Sequence, residues 1–586
     1  MIDPDIRAMA GTADDPSTVG AGVRAPNPIT QWHRGFALLA VVSLFIGTAD
    51  LWQDAVPRAP AVALVISACY AAMMGAAVLV TTVSSRRLMT VVEAGILGVA
   101  VVLACCLFLL HHGATDEGVL AVRAADAIRH GTPAYGVHWP DIRSLDVGFT
   151  KTMDGGIIDT YPYPPLMAIL TAAVGIVVQG YVAAGVVTMA SLIAGAVLQW
   201  RLMPPLWGSP ATALVLGFGL LPAYAHRGYP AVIACVLLIP VAIAWTSTGV
   251  AGRLDRRAVV RAICLGAACA TQQLAWFLVP FLLVGIWSVR RGELPVPQAA
   301  RVVGLFTAIA GATFLLINLP FIAADPRAWL EGISTPLTSH AVPYGQGLVG
   351  ISYHLLEGSG ALTFYNYAAL SVAIGLLVAT VLFMRRLGPA LFVLPWIIFL
   401  FSVRSQDIYY AMMTPLWLAS LATVASGAFA SAWQPRGGLL GRRRVRWALL
   451  VVLSAPALAC LGVAIATPAP LQMRVLAVIP VEGKSDVAEI HVRVANTGSS
   501  VLRPHFAVSN NYSMGPYFLK LAGPDALSPG QTGDYRLKAP RAGIVPGPRG
   551  FFRLRALTDD PVTLNSTTVP AASSSAPIEP STSAPP

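Results

Sequence analysis

Apolar runs long enough to cross a lipid bilayer recur along the first 467 residues of the chain, and no other feature limits its fold so strongly. A helix needs about 20 apolar residues to cross the hydrocarbon core. Inside that core the backbone must satisfy its own polar groups, which leaves helices or a closed barrel. The runs are continuous rather than alternating, so they predict helices. The candidate spans are residues 34–52, 59–81, 90–110, 163–179, 181–200, 211–226, 229–247, 258–274, 276–289, 301–323, 361–384, 389–403, 407–426 and 446–467.

Composition and charge favour a membrane protein and argue against a nucleic-acid partner. Hydrophobic residues make up 56% of the chain and charged residues only 11%, whereas soluble proteins carry about 25% charged residues. Many of the arginines behind the net charge of +11 lie in short loops such as 252–257 and 441–447. Positive charge in short loops marks the cytoplasmic side of a membrane. We therefore expect a multi-pass protein of the cell membrane.

The basic loops also predict a topology. If the N-terminus is cytoplasmic, the loop 111–162 and the segment 324–345 lie outside, and so does the C-terminal region. Counting helices between 163 and 257 then places one basic loop on the wrong side. One segment between 163 and 226 is therefore expected to be a half-helix or a re-entrant loop rather than a full span.

The sequence pattern changes after residue 470. Ile490, Val492 and Val494 alternate with polar and charged residues, and two later stretches repeat this period of two. Strands of this kind, separated by turns rich in Asn, Pro and Gly, predict a small antiparallel β-sandwich. The expected regions are a disordered N-terminal tail (1–32), a multi-helix membrane core (33–467), an external β-sandwich domain (470–562) and a disordered, low-complexity tail (563–586).

Cysteines and one acid lie inside the apolar runs. The cysteines show no metal-ligand spacing, and we expect small core residues rather than disulfides or a metal site. Glu93 lies early in the third run and is expected to pair near the headgroups with an arginine such as Arg86 or Arg87. The cysteines are Cys69, Cys105, Cys106, Cys235, Cys264, Cys269 and Cys460.

Two adjacent acids, Asp116 and Glu117, follow the third apolar run directly. Such acids commonly cap a helix at the membrane surface and remain solvated. Alternatively, a carboxylate at this height acts as a general base on a substrate carried by a lipid, because a base must reach the hydroxyl that it deprotonates. Successive helical residues point about 100° apart, so only one of the two acids faces a given cleft.

An ordered set of motifs follows these acids. They are "AADAIRHGTPAYG" (124–136), the aromatic-proline box "YPYPPL" (161–166), "INLPFIAADPRAWLEGIS" (317–334), "PYGQGLVGIS" (343–352) and "RSQDIYYAMMTPLW" (404–417). With them the chain resembles membrane glycosyltransferases of the GT-C type, and most closely glycosyltransferase family 87, the polyprenol-phosphate-mannose-dependent α-mannosyltransferases. The resemblance covers roughly residues 34–427. It implies a GT-C-like α-helical polytopic membrane protein, to which the small C-terminal external β-sandwich is an addition.

The resemblance also implies a reaction. Asp116 matches the position of the catalytic acid, and Glu117 either shares or replaces its role. The expected reaction is inverting transfer of a sugar, mannose first and arabinofuranose as the neighbouring possibility, from a polyprenyl phosphate to a glycolipid or polysaccharide acceptor. No cofactor and no metal are expected. The departing phosphate must be stabilised by cations or other donors.

Several residues are candidates for holding such a substrate, and each also has a structural interpretation. Arg404 is the first candidate for the phosphate, because a guanidinium binds two oxygens, with Arg123, His340 and Lys151 as alternatives. The aromatic side chains of Tyr161 and Tyr163 either contact sugar and lipid or belong to an interfacial aromatic belt. Gln272 and Gln273 lie within an apolar run and either contact the sugar or bond to another helix.

Two other functions compete with transfer. A transporter or flippase of lipid-linked precursors would place paired ionisable residues within several helices and would show internal repeats. A scaffold would use the helices only as anchors, and far fewer spans would suffice for anchoring. Acids and tyrosines of this chain gather in loops instead, which favours chemistry at the membrane surface.

Overall fold

A computed structural model of the chain describes residues 29–570 except 112, 146, 436, 482–485, 511–512 and 541–550. A helical part comes first and a β part follows. The α-helices are α1 (Gln31–Gly47), α2 (Ala49–Arg58), α3 (Pro60–Thr82), α4 (Arg86–Leu110), α5 (Asp116–Arg129), α6 (Leu166–Val174), α7 (Val182–Leu202), α8 (Gly208–Thr212), α9 (Leu220–Ala225), α10 (Pro230–Ala242), α11 (Arg256–Cys269), α12 (Leu274–Glu293), α13 (Val296–Ala324), α14 (Pro326–Thr338), α15 (Thr363–Leu387), α16 (Ile398–Phe401), α17 (Asp407–Thr423) and α18 (Arg443–Ala466).

Seven helices of the described part, α3, α4, α7, α12, α13, α15 and α18, are long and apolar enough to cross a membrane. Helices α1 and α2, bent by 43° between them, make an eighth if they form one span. These helices indicate a multi-pass membrane protein. They are fewer than the candidate spans of the sequence, because several apolar runs form short or interrupted helices.

The interrupted runs include the region where a half-helix was expected. α6 has only nine residues, which at 1.5 Å per residue covers less than half of the hydrocarbon core. The run 211–226 is divided among α8, a π-helical turn (Ala213–Gly217) and α9. Gly219, at φ +76°, separates the last two pieces. Two segments between 163 and 226, rather than one, are therefore too short to be full spans.

Helices α1, α4 and α8 meet around a buried acid. The Glu93 carboxyl lies 3.0 Å from His33 Nε2 and accepts a hydrogen bond of 2.7 Å from the Ser209 hydroxyl. The expected pairing of Glu93 with Arg86 or Arg87 is therefore wrong. The two arginines stand exposed at the start of α4, whereas Glu93 turns inward and is only 3% exposed. The pair joins α1 to α4.

The β part consists of two antiparallel sheets that share one hydrophobic core. Ile490, Val492 and Val494 are fully buried, as the alternation predicted. The four-stranded sheet has the order β4-β5-β9-β8, and the five-stranded sheet has the order β2-β11-β10-β6-β7. The strands are β1 (Tyr344–Gly345), β2 (Gly358–Ser359), β3 (Arg404–Ser405), β4 (Leu471–Pro480), β5 (Val487–Asn496), β6 (His505–Asn510), β7 (Ser513–Tyr517), β8 (Leu519–Ala522), β9 (Thr532–Lys538), β10 (Phe551–Thr558) and β11 (Thr563–Pro570).

The limits of both tails differ from the prediction. Residues 563–570, assigned to a disordered tail, form β11, which pairs along its whole length with β10 and buries Leu564 and Val569 in the domain. Their apolar alternation is weak among Thr and Ser, so the pattern was read as low complexity. At the other end α1 already begins at Gln31, capped by Thr30. The remaining tail residues, 1–28 and 571–586, lie outside the described residues.

The β domain (β4 to β11) is joined to the helical part by more than its covalent link to α18. Strand β2, which precedes α15, pairs with β11 through Ser359 and Leu564. Gly358 has φ +134°, and a Cβ there would lie 1.8 Å from the Leu564 carbonyl oxygen, so the close approach requires glycine. Met153 and Tyr353 of the helical part also share a buried cluster with Leu557 of the domain. These contacts hold the domain against the loops of the helical part.

Candidate functional site

The start of α5 is built against a distant turn. Thr115 caps the helix by accepting a hydrogen bond of 3.2 Å from the Gly118 amide, and its own amide donates to the Arg227 carbonyl at 3.2 Å. A Cβ on Gly118 would lie 2.6 Å from that carbonyl oxygen, so only glycine allows the contact. The two acids therefore occupy the first turn of a fixed helix, where negative charge is stabilised by the helix dipole.

A cavity of about 300 Å³ opens beside these acids. Its walls come from segments that are far apart in the sequence, including the β domain. Polar and aromatic side chains predominate among its lining residues. These are Asp116, Glu117, Gly148, Phe149, Thr150, Lys151, Tyr224, Tyr229, Val342, Pro343, Tyr344, Arg404, Gln406 and Met514.

Asp116 is held in place by three hydrogen bonds. Its Oδ2 accepts from the Thr150 amide at 2.9 Å and from the Thr150 hydroxyl at 2.6 Å. Its Oδ1 accepts from the Glu117 amide at 2.9 Å. These donors fix the orientation of the Asp116 side chain. Asp116 is thus an oriented carboxylate at the cavity wall.

Glu117 differs from its neighbour. Its side chain borders the cavity, yet Oε2 is enclosed and has no hydrogen-bond partner. Burial raises the pKa of Glu117 to about 8, and the nearby Asp116 charge raises it further, while the Tyr163 hydroxyl and the Arg404 charge oppose the shift. At neutral pH Glu117 is therefore mainly protonated. The two adjacent acids differ in their surroundings, because Asp116 accepts three hydrogen bonds whereas Glu117 is desolvated.

Two cations line the same cavity as the acids. Arg404 lies over the Tyr344 ring at 5.6 Å from its centroid, and its guanidinium donates a long hydrogen bond of 3.4 Å to the Val342 carbonyl. Lys151 donates from Nζ to the Met514 carbonyl at 2.9 Å. Burial lowers the pKa of Lys151, with Arg404 adding to that effect and Asp116 opposing it. Both side chains have donors left for an anion.

An aromatic pair forms another wall. The rings of Tyr224 and Tyr229 meet edge to face with centroids 4.7 Å apart. The Tyr224 hydroxyl donates to the carboxylate of Asp407, the first residue of α17. Aromatic faces beside hydroxyls suit a sugar, which presents both C–H and O–H groups. Tyr224 and Tyr229 lie in the predicted spans 211–226 and 229–247, which the sequence analysis interpreted only as apolar runs.

The aromatic-proline box lies behind the cavity rather than in it. Tyr161 is 1% exposed and donates its hydroxyl to the Pro164 carbonyl at 3.2 Å. Tyr163 reaches the Glu117 carboxyl from behind the lining residues. Gln273 bonds from Nε2 to the Pro162 carbonyl at 2.8 Å. Gln272 is buried with Oε1 unpartnered and does not line the cavity.

Two predicted cations lie elsewhere. Arg123 lies on the third turn of α5, away from the cavity, and forms an ion pair with Asp141. His340 lies 2.6 Å from the Asp559 carboxylate, and this contact joins the helical part to the β domain. The structure therefore brings Asp116, Glu117 and Arg404 together with the alternative cation Lys151. It does not bring Arg123, His340, Tyr161 or Gln272 to the same cavity.

Several lining residues were missed by the sequence reasoning. Thr150 orients Asp116, Tyr224 and Tyr229 form a wall, and Met514 comes from the β domain. Thr150 stands in a loop with no regular pattern, and the other residues stand in segments interpreted as spans or strands. No local signal marks them, because their proximity depends on how separate segments pack.

The donor set of the cavity suits an anion. Among the described residues, no group of three His, Cys, Asp or Glu side chains is placed to hold a metal ion. The cavity has two acids and two cations, so a metal cation would meet the positive charges of Arg404 and Lys151 as well as the acids.

Comparisons with protein-family models, with curated proteins and with solved structures find no match for this chain. The geometry of the cavity is therefore the basis for proposing a function.

Proposed function

We propose that this chain is a membrane-embedded glycosyltransferase that moves a sugar, mannose first, from a polyprenyl phosphate to a glycolipid or polysaccharide acceptor with inversion. One observation carries the proposal. The cavity that follows the apolar helix α4 holds an oriented carboxylate, a protonated carboxyl group and two cations with free donors. This combination matches an acceptor hydroxyl on one side and a sugar phosphate on the other.

Asp116 is the general base of the proposed reaction. It accepts the proton of the acceptor hydroxyl, whose oxygen forms a bond to the anomeric carbon of the donor sugar. The bond between that carbon and the phosphate oxygen breaks on the opposite face, and its electron pair leaves with the polyprenyl phosphate. The Thr150 hydrogen bonds keep the carboxylate oriented during this step. A positioned base contributes roughly 10²–10⁴-fold to a rate.

Glu117 acts in its neutral form. A second ionised acid beside Asp116 would repel an anionic phosphate, and this repulsion is stronger where water is excluded. Because burial and the Asp116 charge raise the pKa of Glu117 to about 8, the group stays protonated at neutral pH. It then donates a hydrogen bond to the substrate from the carboxyl whose Oε2 lacks a protein partner.

Arg404 and Lys151 hold the phosphate. The charge on the leaving oxygen grows as the bond to the sugar breaks, so preorganised cations stabilise the transition state more than the ground state. The Tyr344 ring and the Met514 carbonyl keep the two side chains in the cavity before the substrate arrives.

The location of the cavity supports a substrate carried by a lipid. α4 ends at Leu110, and Asp116 follows within one short loop. A polyprenyl tail in the bilayer would carry its phosphate to this level. Within the proposal, the cavity and the β domain lie on the external face of the cell membrane, as the basic loops predict.

The test is transfer in reconstituted vesicles. Purified protein, or its Asp116→Asn variant, receives radiolabelled polyprenyl-phosphate mannose and, separately, polyprenyl-phosphate arabinose with a glycolipid acceptor. We expect transfer of the mannose label by the native chain and its loss in the variant. Transfer of arabinose but not of mannose would identify arabinose as the donor sugar and leave the proposed mechanism unchanged. Scrambling of the labelled lipid without any transfer would refute the proposal and favour a flippase.

A further inference from the structure

We infer that the β domain forms the acceptor-side wall of the cavity and that Met514 helps to determine which acceptors fit. The inference rests on the proposed function. Met514 of β7 lines the cavity together with the acids of α5. Its carbonyl accepts a hydrogen bond from Lys151 Nζ at 2.9 Å. The domain therefore contacts both the cavity and one of the two cations that line it.

The charge pattern of the domain indicates which side of the cavity it covers. On the outer face of its four-stranded sheet, Arg536 pairs with Glu489 at 2.8 Å and Arg493 pairs with Asp534 at 2.7 Å. Such exposed ion pairs need water rather than lipid. The domain therefore lies off the bilayer. A donor whose tail stays in the bilayer enters from the opposite side, and its phosphate stops at Lys151, which the Met514 backbone carbonyl holds. The part of the substrate that extends past Lys151 to the Met514 side chain is therefore the acceptor.

A second contact connects the domain to the base. Tyr517 of β7 donates its hydroxyl to the Thr152 carbonyl at 2.7 Å. Thr152 follows Thr150, which makes two of the three hydrogen bonds to Asp116. The extended segment 150–152 is thus held by the base at one end and by the domain at the other. Tyr517 is a positioning residue, because it acts on Asp116 through this segment.

The first experiment changes the size of the side chain at position 514. Met514→Trp narrows the cavity and Met514→Ala widens it, and alkyl glycosides of one, two and four sugar units serve as acceptors. We expect Met514→Trp to lower kcat/KM for the four-unit acceptor about tenfold relative to the one-unit acceptor. Met514→Ala should change this ratio in the opposite direction, and the KM for the donor should stay within about twofold of the native value.

Leu519 provides the matched control. It is also in the β domain and is 62% exposed, but it does not line the cavity. Leu519→Trp and Leu519→Ala should leave the acceptor ratio unchanged. A native acceptor ratio in both folded Met514 variants would overturn the inference. A changed KM for the donor with an unchanged acceptor ratio would also overturn it, because Met514 would then face the donor.

The second experiment tests the positioning role with two tyrosines of the same domain. Tyr517→Phe removes the bond to Thr152, whereas Tyr535→Phe removes a buried hydroxyl without a partner. Loss of one hydrogen bond costs about 1 kcal/mol, which is roughly a fivefold effect. We expect kcat to fall about fivefold in Tyr517→Phe at an unchanged KM for the donor. The control should keep its native kcat.

The outcomes separate the inference from the function on which it rests. If the native chain transfers no sugar and equals Asp116→Asn, the proposed function fails and the inference falls with it. If the native chain transfers sugar but the Met514 and Tyr517 variants behave like their controls, only the role of the β domain is refuted. A changed acceptor ratio together with a lower kcat in Tyr517→Phe would support both.

Discussion

Two enclosed acids lie near opposite ends of α4, and their surroundings differ. Near the start of the helix, Glu93 meets His33 at 3.0 Å and Ser209 at 2.7 Å. Beyond its end, Glu117 faces a cavity with one carboxyl oxygen unpartnered. Both acids stand out in the sequence because charged residues make up only 11% of this apolar chain. The first completes contacts between helices, and the second has hydrogen-bonding capacity left over.

The difference shows that burial alone does not identify a functional acid. A buried polar group is costly when it lacks a partner, so most such groups are paired. A paired acid like Glu93 contributes to assembly. Glu117 borders a cavity, and its enclosed Oε2 keeps that cost because it has no protein partner. The variants below test this distinction, beginning with the largest expected effect.

Asp116→Asn should cause the largest decrease in the rate of sugar transfer. The amide cannot accept a proton from the acceptor, so we expect transfer per folded molecule to fall by roughly 10²–10⁴-fold. Asp126→Asn is the control on the same helix, since Asp126 pairs with Arg129 away from the cavity. Rates of labelled sugar transfer and melting curves of both variants give the comparison. Equal activity of the two variants would remove Asp116 from the mechanism.

Glu93→Ala should act on stability rather than on chemistry. The change leaves donors of His33 and Ser209 without their acceptor, at a cost of about 3 kcal/mol for the two together. We expect a lower Tm in detergent and a native transfer rate per folded molecule. Glu93→Gln keeps an acceptor oxygen, so its Tm should fall less than that of Glu93→Ala. Loss of transfer at an unchanged Tm would contradict the structural role and erase the distinction between the two acids.

Arg404→Gln should weaken the donor site. Removal of a charged hydrogen-bonding group costs about 1.5–3 kcal/mol, which corresponds to roughly a 10–100-fold decrease in kcat/KM for the donor. Arg123→Gln removes a similar charge that is already paired with Asp141 outside the cavity. Kinetics at varied donor concentration distinguish the two. A greater effect in Arg123→Gln would show that the phosphate binds elsewhere.

Glu117→Gln should have the smallest effect, and it should depend on pH. With a pKa of about 8, the native Glu117 loses its proton between pH 7 and pH 9, and kcat/KM for the anionic donor should fall about tenfold over that interval. The glutamine variant carries no such proton, so its profile should be flat there. A rate that rises through pH 8 in the native chain would instead identify Glu117 as the base.

The same residue predicts how stability changes with pH. Its pKa is raised in the folded chain, so the folded state binds more protons and stability falls as pH rises from about 4.5 to about 8. Melting temperatures of native and Glu117→Gln protein across this range should therefore converge at low pH and diverge at high pH, with the variant more stable. Parallel curves would indicate that the carboxyl is solvated.

The sequence predicted part of the site because that part is local. Asp116 and Glu117 are adjacent in the chain, and their place after α4 can be read from hydropathy. Arg404 was recognised because a cation stands at the end of an apolar run. The alternation in β5 likewise predicted a half-buried strand. Thr150 and Met514 carry no such local signal, since each enters the cavity through tertiary packing.

What the sequence determined by itself is the kind of environment each segment requires. Long apolar runs exclude water, and alternating strands need one wet face, so the helical part and most of the β domain could be recognised from residue order. Tertiary structure alone decided which runs break, as at Gly219, and where β11 ends. It also decided the protonation of Glu117. A pKa depends on every dipole and charge within a few ångströms, and for Glu117 two of these, the Tyr163 hydroxyl and the Arg404 charge, come from residues far away in the chain.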